Sequence, residues 1–233
     1  MWYNSFGKVL GLVLLVFFLL AALAFGLLFY GQYHNLTTPE NANTNTSNIN
    51  TRLSVNTSTL VTPDADDDPY LGPVDAPVEI IAFEDFQCPY CEAEEPILKE
   101  LLAKYPNDIK FVYRDFPLYT IHDYAISAAQ AGECADAQGK FWAWHDQAYA
   151  NQSALAAAPA VYSIWAQTAG LDLTAFETCV EQELYAGEVQ KDQDEGILAG
   201  VNATPTFFVN GEKIEGTISL SDWETIVKAA LAN

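Results

Sequence analysis

Basic residues are scarce in this chain of 233 residues. Ten Lys and Arg stand against 31 Asp and Glu, for a formal net charge of -21. A surface of that sign repels phosphate backbones and argues against nucleic acid as a partner. It also fits a salt-rich habitat. Histidine is scarce too, with three scattered residues, and cysteine stops at four. A structural zinc site takes four ligands, usually two close pairs. Only Cys88 and Cys91 are close, while Cys134 and Cys179 are isolated, so no metal is expected. No internal repeat is present.

Charge of either sign is missing from Val9 to Tyr30, an almost wholly apolar run. As a helix it would be about 33 Å long, against a hydrocarbon core of roughly 30 Å. Trp2, Tyr3 and Phe6 precede it, and Phe29, Tyr30 and Tyr33 close it, as suits the two interfaces. Lys8 lies before the run, and the next basic residue is Arg52. The positive-inside rule then puts residues 1–8 in the cytoplasm, residues 9–30 across the membrane as a signal anchor, and the rest outside. Ala22-Leu23-Ala24 has the form of a signal-peptide cleavage site and keeps that reading open. Either way the remainder is extracytoplasmic.

Residues 31–70 are rich in Asn, Thr, Ser and Asp and poor in large apolar side chains. They cannot bury enough surface to fold alone. A disordered linker of this length reaches roughly 35 Å on average. Asn35, Asn45 and Asn56 stand in glycosylation-type triplets, which Asn/Thr-rich sequence also produces by chance.

From residue 71 to 233 the composition is that of one globular domain. Val78–Phe83 reads as a buried strand, Pro89 to about Tyr105 as a helix kinked at Pro96, and Ile109–Tyr113 as a second strand. An Ala-rich helical block spans about 120–199. Within it, Phe176, Val180, Leu184 and Gly187 keep helical spacing, and Thr174 with Glu177 suggests a capping box. Thr206–Val209 and Glu212–Glu215 flank Asn210-Gly211, the strongest short hairpin signal. Ser221 with Glu224 predicts a last helix burying Trp223, Ile226, Val227 and Ala230. The order defines an α/β domain with a helical insertion.

The chemistry concentrates in Cys88-Pro89-Tyr90-Cys91. Disulfide exchange needs one thiolate to attack and a second thiol to resolve the mixed disulfide. A first cysteine exposed at a helix start gains from the unpaired N–H groups and the helix dipole, which lower its pKa. Cys88 is therefore the expected nucleophile and Cys91 the resolving thiol. A zinc site, or a purely structural bridge closing very little chain, is the alternative. Glu84, Asp85, Glu92, Glu94 and Glu95 crowd the motif, and their charge is expected to raise the Cys88 pKa and make the pair a milder oxidant. Glu84 or Asp85 is also a candidate proton shuttle for Cys91.

Phe86-Gln87-Cys88-Pro89-Tyr90-Cys91 after a buried strand resembles the DsbA-like branch of the thioredoxin superfamily. So do Gly200–Gly211 and the run Gln138-Gly139-Lys140-Phe141-Trp142 with His145-Asp146. The resemblance covers about residues 72–232. It implies a thioredoxin-like fold, a cis Thr204–Pro205 bond, and a loop at Thr204 and Pro205 that packs on the redox pair and binds substrate backbone. It implies no cofactor beyond the Cys88–Cys91 disulfide, exported cysteine-containing proteins as substrates, and a membrane redox partner of the DsbB or vitamin K epoxide reductase type. The dipeptide Pro89-Tyr90 departs from the Pro-His of the branch's strongest oxidases.

Cys134 and Cys179 read as a structural disulfide in an oxidising compartment, or as two buried thiols. His122, His145 and Arg114 read as structural residues. Nothing demands a dimer, so a monomer is expected. Three functions compete: a membrane-anchored oxidase, a reductase or isomerase fed by a membrane electron donor, and a non-catalytic tethered chaperone or metal-binding module.

Overall fold

The computed structural model describes residues 62–63 and 67–232. The expected membrane segment at 9–30, its flank at 1–8 and most of the linker lie outside the described residues. No helix among the described residues is long and apolar enough to cross a membrane.

A five-stranded sheet forms the centre, in the order β1-β3-β2-β4-β5. Its strands are β1 (Tyr70–Leu71), β2 (Val78–Glu84), β3 (Ile109–Asp115), β4 (Thr206–Val209) and β5 (Glu212–Glu215). β2 and β3 run parallel, with Ile80 opposite Phe111, because helix α1 (Pro89–Lys104) carries the chain back between them. The other pairings are antiparallel. At the β4–β5 turn Asn210 and Gly211 both take positive φ, 46° and 87°. That is the hairpin geometry the Asn-Gly pair predicts.

Both faces of β2 are covered, so its sequence is a near-continuous apolar run. Ile80 and Ala82 pack with Leu98 and Leu101 of α1 and with Trp223 and Val227 of α7 (Leu220–Leu231). Ile81 and Phe83 pack on the other face with Val112, Phe116, Val201 and Phe208. Burying one such side chain contributes about 1.5–3 kcal/mol.

The insertion between β3 and β4 holds α2 (Ala125–Asp136), α3 (Phe141–Ala150), a 3-10 turn (Gln152–Ala157), α4 (Ala160–Ala169), α5 (Leu173–Glu181) and α6 (Ala186–Leu198). Its core joins Trp144, Tyr162, Trp165 and Phe176 to Phe86, Cys88 and Cys91. The insertion is thus built directly onto the CxxC segment.

Three local readings need correction. The cap of α5 is Asp172, whose carboxylate accepts from Ala175 N at 3.0 Å, so Thr174 lies inside the helix. The cap of α7 is Ser219, which accepts from Asp222 N, and not Ser221. The run from Phe176 to Gly187 is two helices, parted where Glu183 takes φ 50°, and Leu184 is exposed. The linker also ends earlier than composition suggests. Tyr70 pairs with Val112, and Asp68 is buried against Arg114, so residues 67–70 belong to the folded unit.

Candidate active site

β2 ends at Glu84, and four residues later Cys88 caps α1 with an extended backbone, φ -74° and ψ 121°. Pro89 then starts the helix, where its missing N–H costs no bond. The turn between is fastened from several sides. Asp85 Oδ1 accepts from Gln87 N at 2.8 Å. Asp85 Oδ2 accepts from Leu118 N at 2.9 Å and lies 2.7 Å from His122 Nδ1. Gln87 Oε1 accepts from Tyr124 N at 2.7 Å. Gln152 Nε2 donates to the carbonyls of Phe86 and Cys88, both at 2.9 Å. Asp85 is therefore occupied as a positioning group.

Cys88 and Cys91 are free thiols. Cys88 is buried, 3% exposed, a correction to the open helix-start cysteine the motif suggests. The neighbouring Tyr90 is 64% exposed and presents the surface instead. Cys88 Sγ donates to the Thr204 carbonyl at 3.3 Å, across a Thr204–Pro205 bond that is cis. The buried Thr204 side chain stands at the same sulfur.

The Cys88 thiol is lowered to about 6. The Cys91 side chain is the largest cause; the Thr204 side chain and the backbone N–H groups of Tyr90 and Cys91 follow, all working against burial. At about 6 it still lies above the ~3.5 of the most acidic CxxC thiols, in keeping with neighbouring carboxylates that oppose the lowering. Glu94 is turned away, accepting from Trp223 Nε1 at 2.6 Å and from Ile218 N at 3.0 Å. Short hydrogen bonds at the sulfur outweigh like charge at longer range.

Cys91 is fully buried, and burial pushes its thiol well up, helped by the Cys88 side chain and the charge of Glu84. The two thiols are thus driven apart, one toward thiolate and one toward thiol. Glu84 is raised well above the usual carboxylate range, first by burial and then by Glu95. Its Oε2 accepts from Tyr149 at 2.7 Å, and Oε1 has no partner. Glu84, Glu95 and His145 each bring one polar atom into a group within 4.8 Å of one another.

Sequence reasoning placed Cys88, Cys91, Thr204, Pro205 and Glu84 in one region, and the structure brings them together. It missed Tyr149, Gln152 and the position of His145, which reach the site from α3 and the 3-10 turn, and it counted Glu95 of α1 only as nearby charge. The run around His145-Asp146 was the available signal.

Cys134 and Cys179 form a disulfide between α2 and α5, with Cα atoms 5.9 Å apart and 45 residues between them in sequence. Arg114 is wholly buried and pairs with Asp68 at 2.9 Å, Glu195 at 2.8 Å and Asp192. It supplies the positive charge for the acidic group Asp68, Glu188 and Asp192. There Glu133 is pushed up to about 8, by burial first and by Asp192 second.

A thioredoxin fold with two vicinal thiols of opposed acidity, at a helix start and against a cis-proline loop, defines a class of thiol–disulfide exchange proteins. The chain matches the thioredoxin family over residues 64–229 and belongs to it. Its fold is that of the DsbA-like thiol–disulfide oxidoreductases. BdbD from Bacillus subtilis superposes with a TM-score of 0.66 at 22% identity, covering 74% of this chain and 97% of that one. A thioredoxin-like oxidoreductase from Silicibacter pomeroyi gives 0.61 at 25% identity, covering 72% and 95%. Wolbachia pipientis alpha-DsbA1 gives 0.62 at 20% identity, covering 74% and 94%. Among curated proteins the chain is 38% identical over 174 residues to the Na(+)/H(+) antiporter NhaA 3 of Salinispora tropica. It is 39% identical over 173 residues to NhaA 1 of Salinispora arenicola. The chain spans about a quarter of the length of these relatives, 26% in each case, and about three quarters of itself is matched. The match is a domain-sized stretch within longer proteins.

Proposed function

We propose that this chain is an extracytoplasmic, membrane-tethered thiol–disulfide oxidoreductase that gives disulfides to exported cysteine-containing proteins. The observation that carries this reading is the Cys88 thiol, held at about 6 on the cap of α1 and against the Thr204 carbonyl. A stable thiolate is a good leaving group and makes the disulfide easier to reduce. A substrate thiolate attacks Cys88 Sγ, the Cys88–Cys91 bond breaks, and Cys91 leaves with two electrons and takes up a proton. Glu84 is the group suited to give that proton, since burial beside the buried thiol raises its proton affinity well above that of an ordinary carboxylate. A second substrate thiolate then attacks the substrate sulfur of the mixed disulfide. Cys88 leaves as thiolate, and the substrate carries the new disulfide. Exposed Tyr90 and the loop at Thr204 and Pro205 frame the entry to Cys88. A membrane partner of the DsbB or vitamin K epoxide reductase type would reoxidise the pair.

The test is the reduction potential of Cys88–Cys91 against a glutathione series, with Cys88→Ser as control. A potential nearer ~-120 mV than ~-270 mV supports donation of disulfides; one near ~-270 mV makes the chain a reductase. Retained function in Cys88→Ser would turn the reading toward a tethered chaperone.

A further inference from the structure

Disulfide exchange at Cys91 moves one proton per event, and the geometry around Cys91 gives that proton no direct way out. Cys91 is 0% exposed, and Glu84 beside it is 1% exposed. The front of the site is closed by Cys88 and Thr204. Behind it stand aromatic rings. Phe86, Tyr113, Phe141, Trp142 and Tyr149 surround the His145 ring with centroids 4.9–5.8 Å away. This apolar shell around the ring leaves polar side chains as the carriers between Glu84 and the surface.

We propose that Glu95, His145 and Asp146 form the route by which the proton exchanged between Cys91 and Glu84 reaches solvent. The proposal rests on the disulfide-exchange reading of Cys88 and Cys91. The Glu84, Glu95 and His145 atoms lie within 4.8 Å of one another. Glu95 Oε1 is 3.4 Å from His145 Nε2. On the other side of the same ring, His145 Nδ1 is 3.3 Å from Asp146 Oδ1. The Asp146 side chain is 51% exposed, so the chain of contacts ends in water.

Three further observations fit a path rather than a packed core. Glu84 Oε1 is buried without a hydrogen-bond partner, and buried His145 Nε2 has only the long 3.4 Å contact to Glu95. Buried polar atoms are normally satisfied, and two under-satisfied positions on either side of Glu95 leave room for transient proton occupancy. Second, Glu95, His145 and Asp146 line a surface depression of about 390 Å³ together with Lys99 and Trp142. Third, Glu95 and Asp146 also line a neighbouring depression of about 280 Å³ beside Tyr149. The exit is therefore on the flank of α1, away from the thiol entry under Thr204.

The other titratable groups facing this path are few. Lys99 bridges Glu95 at 3.1 Å and Asp146 at 2.9 Å, which holds the two ends together. Tyr149 donates to Glu84. Tyr113 and Tyr149 are pushed well above the usual phenol range by burial, so both stay protonated and carry no charge into the path. Glu94 adds like charge near Glu84 but is bound to Trp223.

When Cys91 leaves the disulfide, Glu84 gives it a proton and is refilled from solvent at the Asp146 end, through His145 and Glu95. When Cys91 attacks a mixed disulfide, the proton moves the opposite way: Glu84 first empties to solvent, then takes the thiol proton. The electrons pass only between sulfurs.

The experiment uses the full chain in its dithiol form and oxidised glutathione. Acid quenching and mass spectrometry follow the Cys88–glutathione adduct, which Cys91 resolves. In Glu95→Gln and Asp146→Asn the adduct is expected to live roughly tenfold longer at pH 7, a modest share of what proton transfer typically contributes. Raising the pH should restore the wild-type lifetime, and the Cys88 thiolate absorbance near 240 nm should titrate unchanged. Asp146→Asn is on the surface and tests the path even if changes at buried His145 disturb folding. Wild-type lifetimes and pH profiles in both variants overturn the route, as does a slowing matched by a shifted Cys88 titration. Failure of the wild-type chain to form any Cys88 adduct would instead sink the disulfide-exchange reading itself.

Discussion

Cys88 owes its low pKa to donors a few ångström away, of which the side-chain ones can be removed singly. The Thr204 hydroxyl is one. Thr204→Val keeps the shape and deletes the donor. The Cys88 pKa should rise from about 6 by roughly one unit, the size of one hydrogen bond to a charged group. Absorbance at 240 nm against pH measures it, and no rise would mean that the backbone donors suffice. The same acidity links to stability. In the folded dithiol form the thiolate is favoured relative to the unfolded chain, whose cysteine titrates near ~8.5. Its contribution is complete above that pH and is lost as pH falls through about 6. The melting-temperature gap between the reduced protein and Cys88→Ser should therefore widen from pH 5 to pH 9; a flat gap would contradict the lowered pKa. At this scale much was legible in advance. Cys88, Cys91 and Thr204 sit in contiguous motifs. Glu95 was legible only as nearby charge on α1; Tyr149 and Gln152 were not legible, because each reaches the site from another element and no spacing marks it.

Helices α2 and α5 are joined by Cys134–Cys179. Closing a loop of 45 residues constrains the unfolded chain by about 4 kcal/mol on the chain-entropy model. Replacing both cysteines by Ala should lower unfolding free energy by roughly 2–4 kcal/mol while leaving the Cys88–Cys91 potential unchanged. Urea unfolding with a glutathione titration checks both halves. Helix α6 makes its own demand. A Cβ on Gly196 would lie 2.7 Å from the Phe116 ring and 3.0 Å from Phe83. Gly196→Ala, otherwise favourable in a helix, should cost about 1–3 kcal/mol through overpacking. A gain in stability would show that the two rings yield. Element boundaries show where local reading stops. The hairpin at Asn210-Gly211 was legible because its geometry is set by two residues. The start of α5 was not, since Asp172 and Thr174 both carry a capping oxygen. Asp172 N donates to Gln138 Oε1, and its carbonyl accepts from Gln138 Nε2, fixing Asp172 from α2's end of the chain. That choice is tertiary.

The net charge of -21 has a different reach. At the sulfur it is outweighed by hydrogen bonds, so Cys88 is lowered despite the carboxylates near the CxxC pair. Buried Arg114 and the hydrogen-bonded Glu94 illustrate how the fold neutralises charge locally. What remains acts at longer range, where potentials add over the surface and steer encounters. Cationic clients should be collected and anionic ones repelled before any thiol meets Cys88. Two dithiol peptides of equal length and opposite net charge would separate this from chemistry. At 20 mM NaCl the cationic peptide should be oxidised roughly tenfold faster. At 500 mM the Debye length falls to about 4 Å and the two rates should converge. The Cys88 pKa should stay near 6 in both salts, since its causes are contacts shorter than that length. Equal rates at low salt would mean that the acidic surface does not extend to the entry beside Tyr90, and that client choice is made by contacts at Thr204 and Pro205 instead.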